Sequence, residues 1–208
     1  ANDLNADGLS DNLPTGTLID SWKSKVGDAN ATQSSELLKP KSNFFGDTNL
    51  KAVAFDGGDY LLDDNASLPA QHIFFVFTGK ITDEDTLFSN NSFWLIRLGG
   101  GEFRNGDFHA NGGQIRVSGG SGGYGSCLSW RSDILSMTAG LGGSYNGTFT
   151  KLGIGAKTAT SNNWEGEFGE ILFYDRALSN SERDSVERYL ADKWSIQLHA
   201  DKLAAEQA

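Results

Sequence analysis

The chain has 208 residues, 13 Phe, 5 Trp, 26 Gly and only 3 Pro, and 21% of it is charged. That suits a β-protein of short strands and Gly/Asn/Asp/Ser turns better than a helical bundle, and the length suffices for a buried core in one domain, here read as residues 1–208. A net charge of −10, with 17 basic residues scattered among 27 acidic ones, argues against nucleic acid, whose phosphates demand clustered Lys and Arg.

The first 17 residues are polar and turn-rich. Within them Asp3-Leu4-Asn5-Ala6-Asp7-Gly8-Leu9-Ser10-Asp11 has the form D-x-N-x-D-G-x-x-D. Calcium takes six to eight oxygens, and a loop with carboxylate or amide groups at alternate positions can fold around it. Asp3, Asn5, Asp7 and Asp11 are the expected side-chain ligands and Leu9 the carbonyl ligand, with Gly8 at the sharp turn. An EF-hand would place Glu at the twelfth position, which here is Pro14, so the loop is closer to those of extracellular repeat proteins. Asp56 with Asp59, Asp63-Asp64 and Asp83-Glu84-Asp85 are further acidic turns.

Strands are expected at 51–55, 60–62, 92–98, 114–118, 127–131 and 148–154. His72 to Phe77 is almost continuously aromatic and β-branched, the pattern of a strand buried on both faces. The longest strand is expected from Trp164 to Tyr174. Ser179 and Glu182 form a capping box for a helix at about 180–195, with Val186, Tyr189, Leu190 and Trp194 on its apolar face, packed against the sandwich edge. The arrangement is all-β: a two-sheet antiparallel sandwich of the jelly-roll kind with one C-terminal α-helix.

The single cysteine, Cys127, permits no internal disulfide and reads as a small core residue. No apolar run approaches the ~20 residues of a membrane-spanning helix, so no membrane insertion is expected. The abrupt opening on a turn motif reads as a module of a longer chain with neighbouring domains.

Three stretches together resemble a known family: Asp28–Gln33 shortly after Trp22; Val53 to Leu61 followed by His72 to Phe77; and Trp164 to Ile196, with Gly166, Glu170, Tyr174 to Ser179, Glu182-Arg183, Tyr189-Leu190 and Lys193-Trp194. Their order is similar to the laminin-G-like, concanavalin A-like jelly-roll domains of large secreted bacterial proteins. The family pattern has an apolar strand before the first acidic turn; this chain lacks it, so that strand is trimmed away or supplied differently. The resemblance implies an extracellular module, often calcium-binding and often glycan-recognising. Related modules in adhesins bind sugars or peptide termini on cell surfaces.

Glu165 and Glu167 sit at alternate strand positions, as the carboxylate pair of a β-sandwich glycoside hydrolase or lyase would. The family's closing strand accounts for the same segment without catalysis. Gly120-Ser121-Gly122-Gly123-Tyr124-Gly125 contains G-x-G-x-x-G, but an expected strand rather than a helix follows, which excludes a dinucleotide fingerprint. These Gly-rich loops place Asn105, Asp107, His109, Asn111 and Tyr124 as ligand-binding candidates. The leading expectation is a non-catalytic, calcium-dependent module that recognises a glycan or a peptide terminus. A β-sandwich enzyme and a structural spacer are the alternatives.

Overall fold

The computed structural model describes residues 12–25, 28–79, 86–90, 93–99, 102–105, 114–118, 120–121, 131–139, 147–156 and 163–198. The calcium-loop residues Asp3, Asn5, Asp7, Leu9 and Asp11, the loop candidates Asp107, His109, Asn111 and Tyr124, and Cys127 lie outside the described residues.

Two seven-stranded antiparallel sheets carry the fold, which is compatible with a jelly roll. The first runs β1 (Ser21–Lys23), β2 (Asn30–Thr32), β5 (Leu61–Asp63), β15 (Leu152–Ile154), β8 (Thr86–Asn90), β9 (Phe93–Gly99), β10 (Glu102–Asn105). The second runs β12 (Gly120–Ser121), β11 (Gln114–Val117), β13 (Arg131–Thr138), β7 (His72–Gly79), β16 (Glu165–Tyr174), β4 (Lys51–Asp56), β3 (Lys41–Phe44). A two-stranded ribbon joins β6 (Leu68–Pro69) to β14 (Thr148–Phe149).

β7 is buried at all eight positions, as its sequence pattern requires. Its alternation divides two cores. Ile73, Phe75 and Phe77 face the first sheet and join Val53, Phe55, Phe88, Leu135, Trp164 and Phe168. Phe74 and Val76 face the other way, with Ala52, Ile134, Phe45, Leu190 and Trp194. A sheet apolar on both faces needs a second cover, and the helix α1 (Asn180–Trp194) supplies it. The helix therefore lies across the outer face of the second sheet rather than against the sandwich edge.

α1 begins as expected. Ser179 Oγ accepts from Glu182 N (3.4 Å), and Glu182 Oε2 accepts from Ser179 N (2.9 Å). Arg176 donates to both oxygens of Glu182 (2.6 and 3.1 Å), and these bonds hold the Glu182 carboxyl down to about 2. The buried face differs from expectation: it consists of Arg183, Glu187, Leu190, Ala191 and Trp194, while Tyr189 is 53% exposed. Trp194 sets that rotation. Its ring lies on Gly169, where an added Cβ would come within 2.7 Å of it.

The remaining strands differ from expectation in detail. The expected 148–154 strand is divided between the ribbon and the first sheet. Strand β13 runs from Arg131 to Thr138, and of the expected 127–131 strand residues 127–130 lie outside the described residues. β1, β2 and β3, of three to four residues, are too short to show alternation.

Candidate functional site

Strand β16 changes character in its middle. From Gly166 to Phe168 it pairs with β7 on one side and, from Glu165, with β4 on the other. Between Phe168 and Glu170 the register with β7 shifts, leaving Gly169 as the extra residue of a β-bulge. Beyond it, Glu170 to Tyr174 keep their pairing with β7, but the pairing with β4 has ended at Val53. The chain before β4 turns away, with Phe45 N donating to Leu50 O (2.9 Å). Among the described residues, this half of β16 therefore has one paired edge and one open edge. Gly166, Phe168 and Gly169 are buried, whereas the five residues from Glu170 to Tyr174 are all half-buried.

The open edge lines a groove of about 570 Å³. Ile171, Leu172 and Phe173 of β16 line it, with Trp22 and Ala29 from the β1–β2 hairpin, Leu68, Leu152, Ile154, Lys193 and Trp194. Lys23 and Lys25 stand on the rim and are exposed. Glu170 Oε2 accepts from Lys193 Nζ (2.7 Å) and from Trp194 Nε1 (2.9 Å), so the indole donor buried under the helix is satisfied. Burial works to lower Lys193, but the hydrogen bond and charge of Glu170 outweigh it and hold its ammonium above the usual lysine range.

A polar cluster lies under the helix. Arg183, 1% exposed, donates from Nε to Ser136 Oγ and from Nη2 to Ser136 O (2.7 Å). Its Nε is 3.4 Å from Glu187 Oε1, an oxygen that accepts no hydrogen bond among the described residues. Arg116 reaches Asp184, Asn180 (3.1 Å) and Glu187 (3.5 Å) from β11. His72 Nε2 is 3.1 Å from Ser136 Oγ and Nδ1 is 3.4 Å from Thr138 Oγ1. Because Ser136 Oγ accepts from Arg183, its proton is free to be donated to a neutral imidazole nitrogen. Burial first, then the charges of Arg183 and Arg116, press His72 down to about 3. Burial and Arg116 also lower Arg183 to about 10, and burial raises Glu187. This is a sealed helix-to-sheet joint.

The acidic turns mostly bond to their own backbone or to a lysine. Gly58 N donates to Asp56 Oδ1 (3.0 Å) and Asp56 N to Asp59 Oδ2 (3.2 Å). Burial, with Asp56 beside it, raises Asp59 to about 6. Asp63 accepts from Asn30 N (2.7 Å) and Asn65 N (2.9 Å), and Asp64 pairs with Lys151 (3.0 Å). Asp83, Glu84 and Asp85 lie outside the described residues. Among the described residues, no group of three or more His, Cys, Asp or Glu is placed to hold a metal. No helix among them is long and apolar enough to cross a membrane.

Glu165 and Glu167 differ in their surroundings. Glu165 is exposed, opposite Asp56 of β4. Glu167 Oε1 accepts from Asn43 Nδ2 (2.6 Å) and Oε2 from Gly46 N (3.0 Å), which ties β16 to the turn after β3. Of the five loop candidates only Asn105 is described; it ends β10, opposite Ile96, on the outermost strand of the first sheet. The groove residues were within reach of sequence reasoning only in part. Glu170 and Lys193-Trp194 stand in a segment the sequence reading singled out and Trp22 shortly precedes another, but nothing local announces that β4 leaves β16 at its middle. Comparison with protein-family models, with curated proteins and with solved structures gives no match.

Proposed function

We propose that this chain is a non-catalytic ligand-binding module of an extracellular bacterial adhesin, a laminin-G-like, concanavalin A-like jelly roll supported by calcium at the Asp3–Asp11 loop. The observation that carries the reading is the groove beside β16, about 570 Å³ in volume, walled by Trp22 and a row of apolar side chains and rimmed by charged ones. Ligand sites are typically concave and mostly apolar, with a few polar groups that set orientation. The bonds to Glu167 support a binding rather than a hydrolytic role: one of the two carboxylates an enzyme would need serves as a brace between strands. The ligand is a glycan or a peptide terminus on a cell surface, presented to a module held among neighbouring domains.

The test is a glycan array and a peptide array probed with the intact chain, each with calcium and with chelator. A ligand class retained by the wild type and weakened at least tenfold by Trp22→Ala, measured well below the variant's melting temperature because Trp22 also packs against the core, is the expected result. Release of reducing sugar from a bound glycan that disappears in Glu167→Gln refutes the non-catalytic reading.

A further inference from the structure

We propose that the groove takes an extended acidic peptide, which pairs through its backbone with the open edge of β16 from Glu170 to Tyr174 and extends the second sheet by a strand. The inference rests on the binding-module reading and names the ligand class and the mode of capture.

The open edge carries the argument. Among the described residues, five consecutive residues of a long strand are paired on one side only and line a cleft. Proteins usually blunt such an edge with a proline, a charge or a very short strand. Here the segment is Glu-Ile-Leu-Phe-Tyr, with no proline, and its single charge is bonded to Lys193 and Trp194. The bulge at Gly169 falls where the pairing with β4 ends, and the strand beyond it keeps its pairing with β7. Five residues at about 3.4 Å each make a track of about 17 Å, matched to a peptide of five or six residues. Backbone hydrogen bonds then supply affinity, and alternate side chains meet different walls. One set faces Trp22, Ala29 and Ile154 and the other lies on the sheet face that carries Lys193 and Trp194.

Charge selects the peptide. The chain carries −10 overall, yet Lys23, Lys25 and Lys193 surround this groove against Glu170 and Asp175. The five charged side chains of the lining sum to +1 against −10 for the chain, and Lys193 and Glu170 pair with each other. An incoming peptide with Asp or Glu at alternate positions meets Lys23 and Lys25 on the rim, while its apolar positions enter the cleft. A glycan has no row of alternating amide donors and acceptors to match a strand edge.

The test uses the full chain and synthetic decapeptides in which Val alternates with Asp, Ser or Lys, beside the glycan array. The Val-Asp peptide is expected to bind at least tenfold more tightly than the Val-Lys peptide, and Lys23→Glu with Lys25→Glu is expected to erase that preference. Hydrogen exchange should slow at the amides of Glu170 to Tyr174 that face away from β7. N-methylation of alternate peptide amides, which leaves side chains and protein untouched, should abolish binding. Peptide binding that survives methylation at every alternate register, or that leaves those amides exchanging freely, overturns strand addition while the binding-module reading stands. Glycan binding without peptide binding does the same. Silence on both arrays overturns both proposals. A concentration-dependent dimer that protects the same amides shows the occupant to be a second copy of this chain and overturns the peptide partner.

Discussion

His72 should make this fold acid-sensitive well above the pH at which carboxylates titrate. The ring is fully buried in the central strand, stacked on Phe74 with centroids 4.7 Å apart, and close to Ser136 and Thr138. Protonation would add a cation beside Arg183 and Arg116, so the folded state holds the ring neutral down to about 3, against 6.5 for a free histidine. With the folded value depressed, the unfolded chain takes up a proton first as the pH falls. Stability is therefore complete above about 6.5 and is lost progressively between there and about 3. Each pH unit in that window costs about 1.4 kcal/mol, so the loss at pH 5 is about 2 kcal/mol. In a domain of this size that lowers the melting temperature by about 4–8 °C. Asp59 works in the opposite direction over part of the same range, so the quantity to measure is a double difference: urea-unfolding free energy at pH 7.5 minus that at pH 5, for the wild type and for His72→Gln. Glutamine keeps a polar end group near Ser136 but does not titrate, and its lost stacking is a constant offset at every pH. The wild type should lose about 2 kcal/mol more than the variant. Parallel pH profiles for the two proteins would refute the reasoning and place a protonated or solvated ring at position 72.

Trp194→Ala should cost about 3–5 kcal/mol, since the indole is 2% exposed, packs on Phe45 and leaves a void over Gly169; Tyr189→Ala, at an exposed site, should cost well under 1 kcal/mol in the same urea titration. Asp59, raised to about 6 from 3.8 by burial and by Asp56, carries a penalty that is fully present above about 6 and is relieved as the pH falls toward 3.8. Asp59→Asn should therefore raise the melting temperature at pH 7.5, with an upper limit of about 3 kcal/mol, and the gain should fade by pH 4; a pH-independent change would refute this assignment. Calcium at a hundredfold excess over its dissociation constant should add about 2.7 kcal/mol through the Asp3–Asp11 loop, and Asp7→Ala should remove most of it; coincident melting curves in calcium and chelator would dismiss that loop as a site.

Much of the architecture could be read from local chemistry because its signals are local. The run from His72 to Phe77 is too apolar for a strand with one wet face, and it lies in the middle of the second sheet with both faces covered. Ser179 and Glu182 specify where a helix starts through hydrogen bonds within four residues, and the helix starts there. Other features depend on groups brought together from far apart in the chain. The helix's buried face includes Arg183 and Glu187, which hydropathy places in solvent; Ser136 on β13 and Arg116 on β11 make that burial tolerable, and both lie more than forty-five residues away. Tyr189 accordingly turns outward, although its spacing from Val186 and Leu190 suits the apolar side. The short strands β1 to β3 have no periodicity to detect and exist because neighbouring strands supply their hydrogen bonds. The groove is the furthest from any local signal. It exists because β4 pairs with half of β16 and then ends, an absence of contact that no run of residues in either strand encodes.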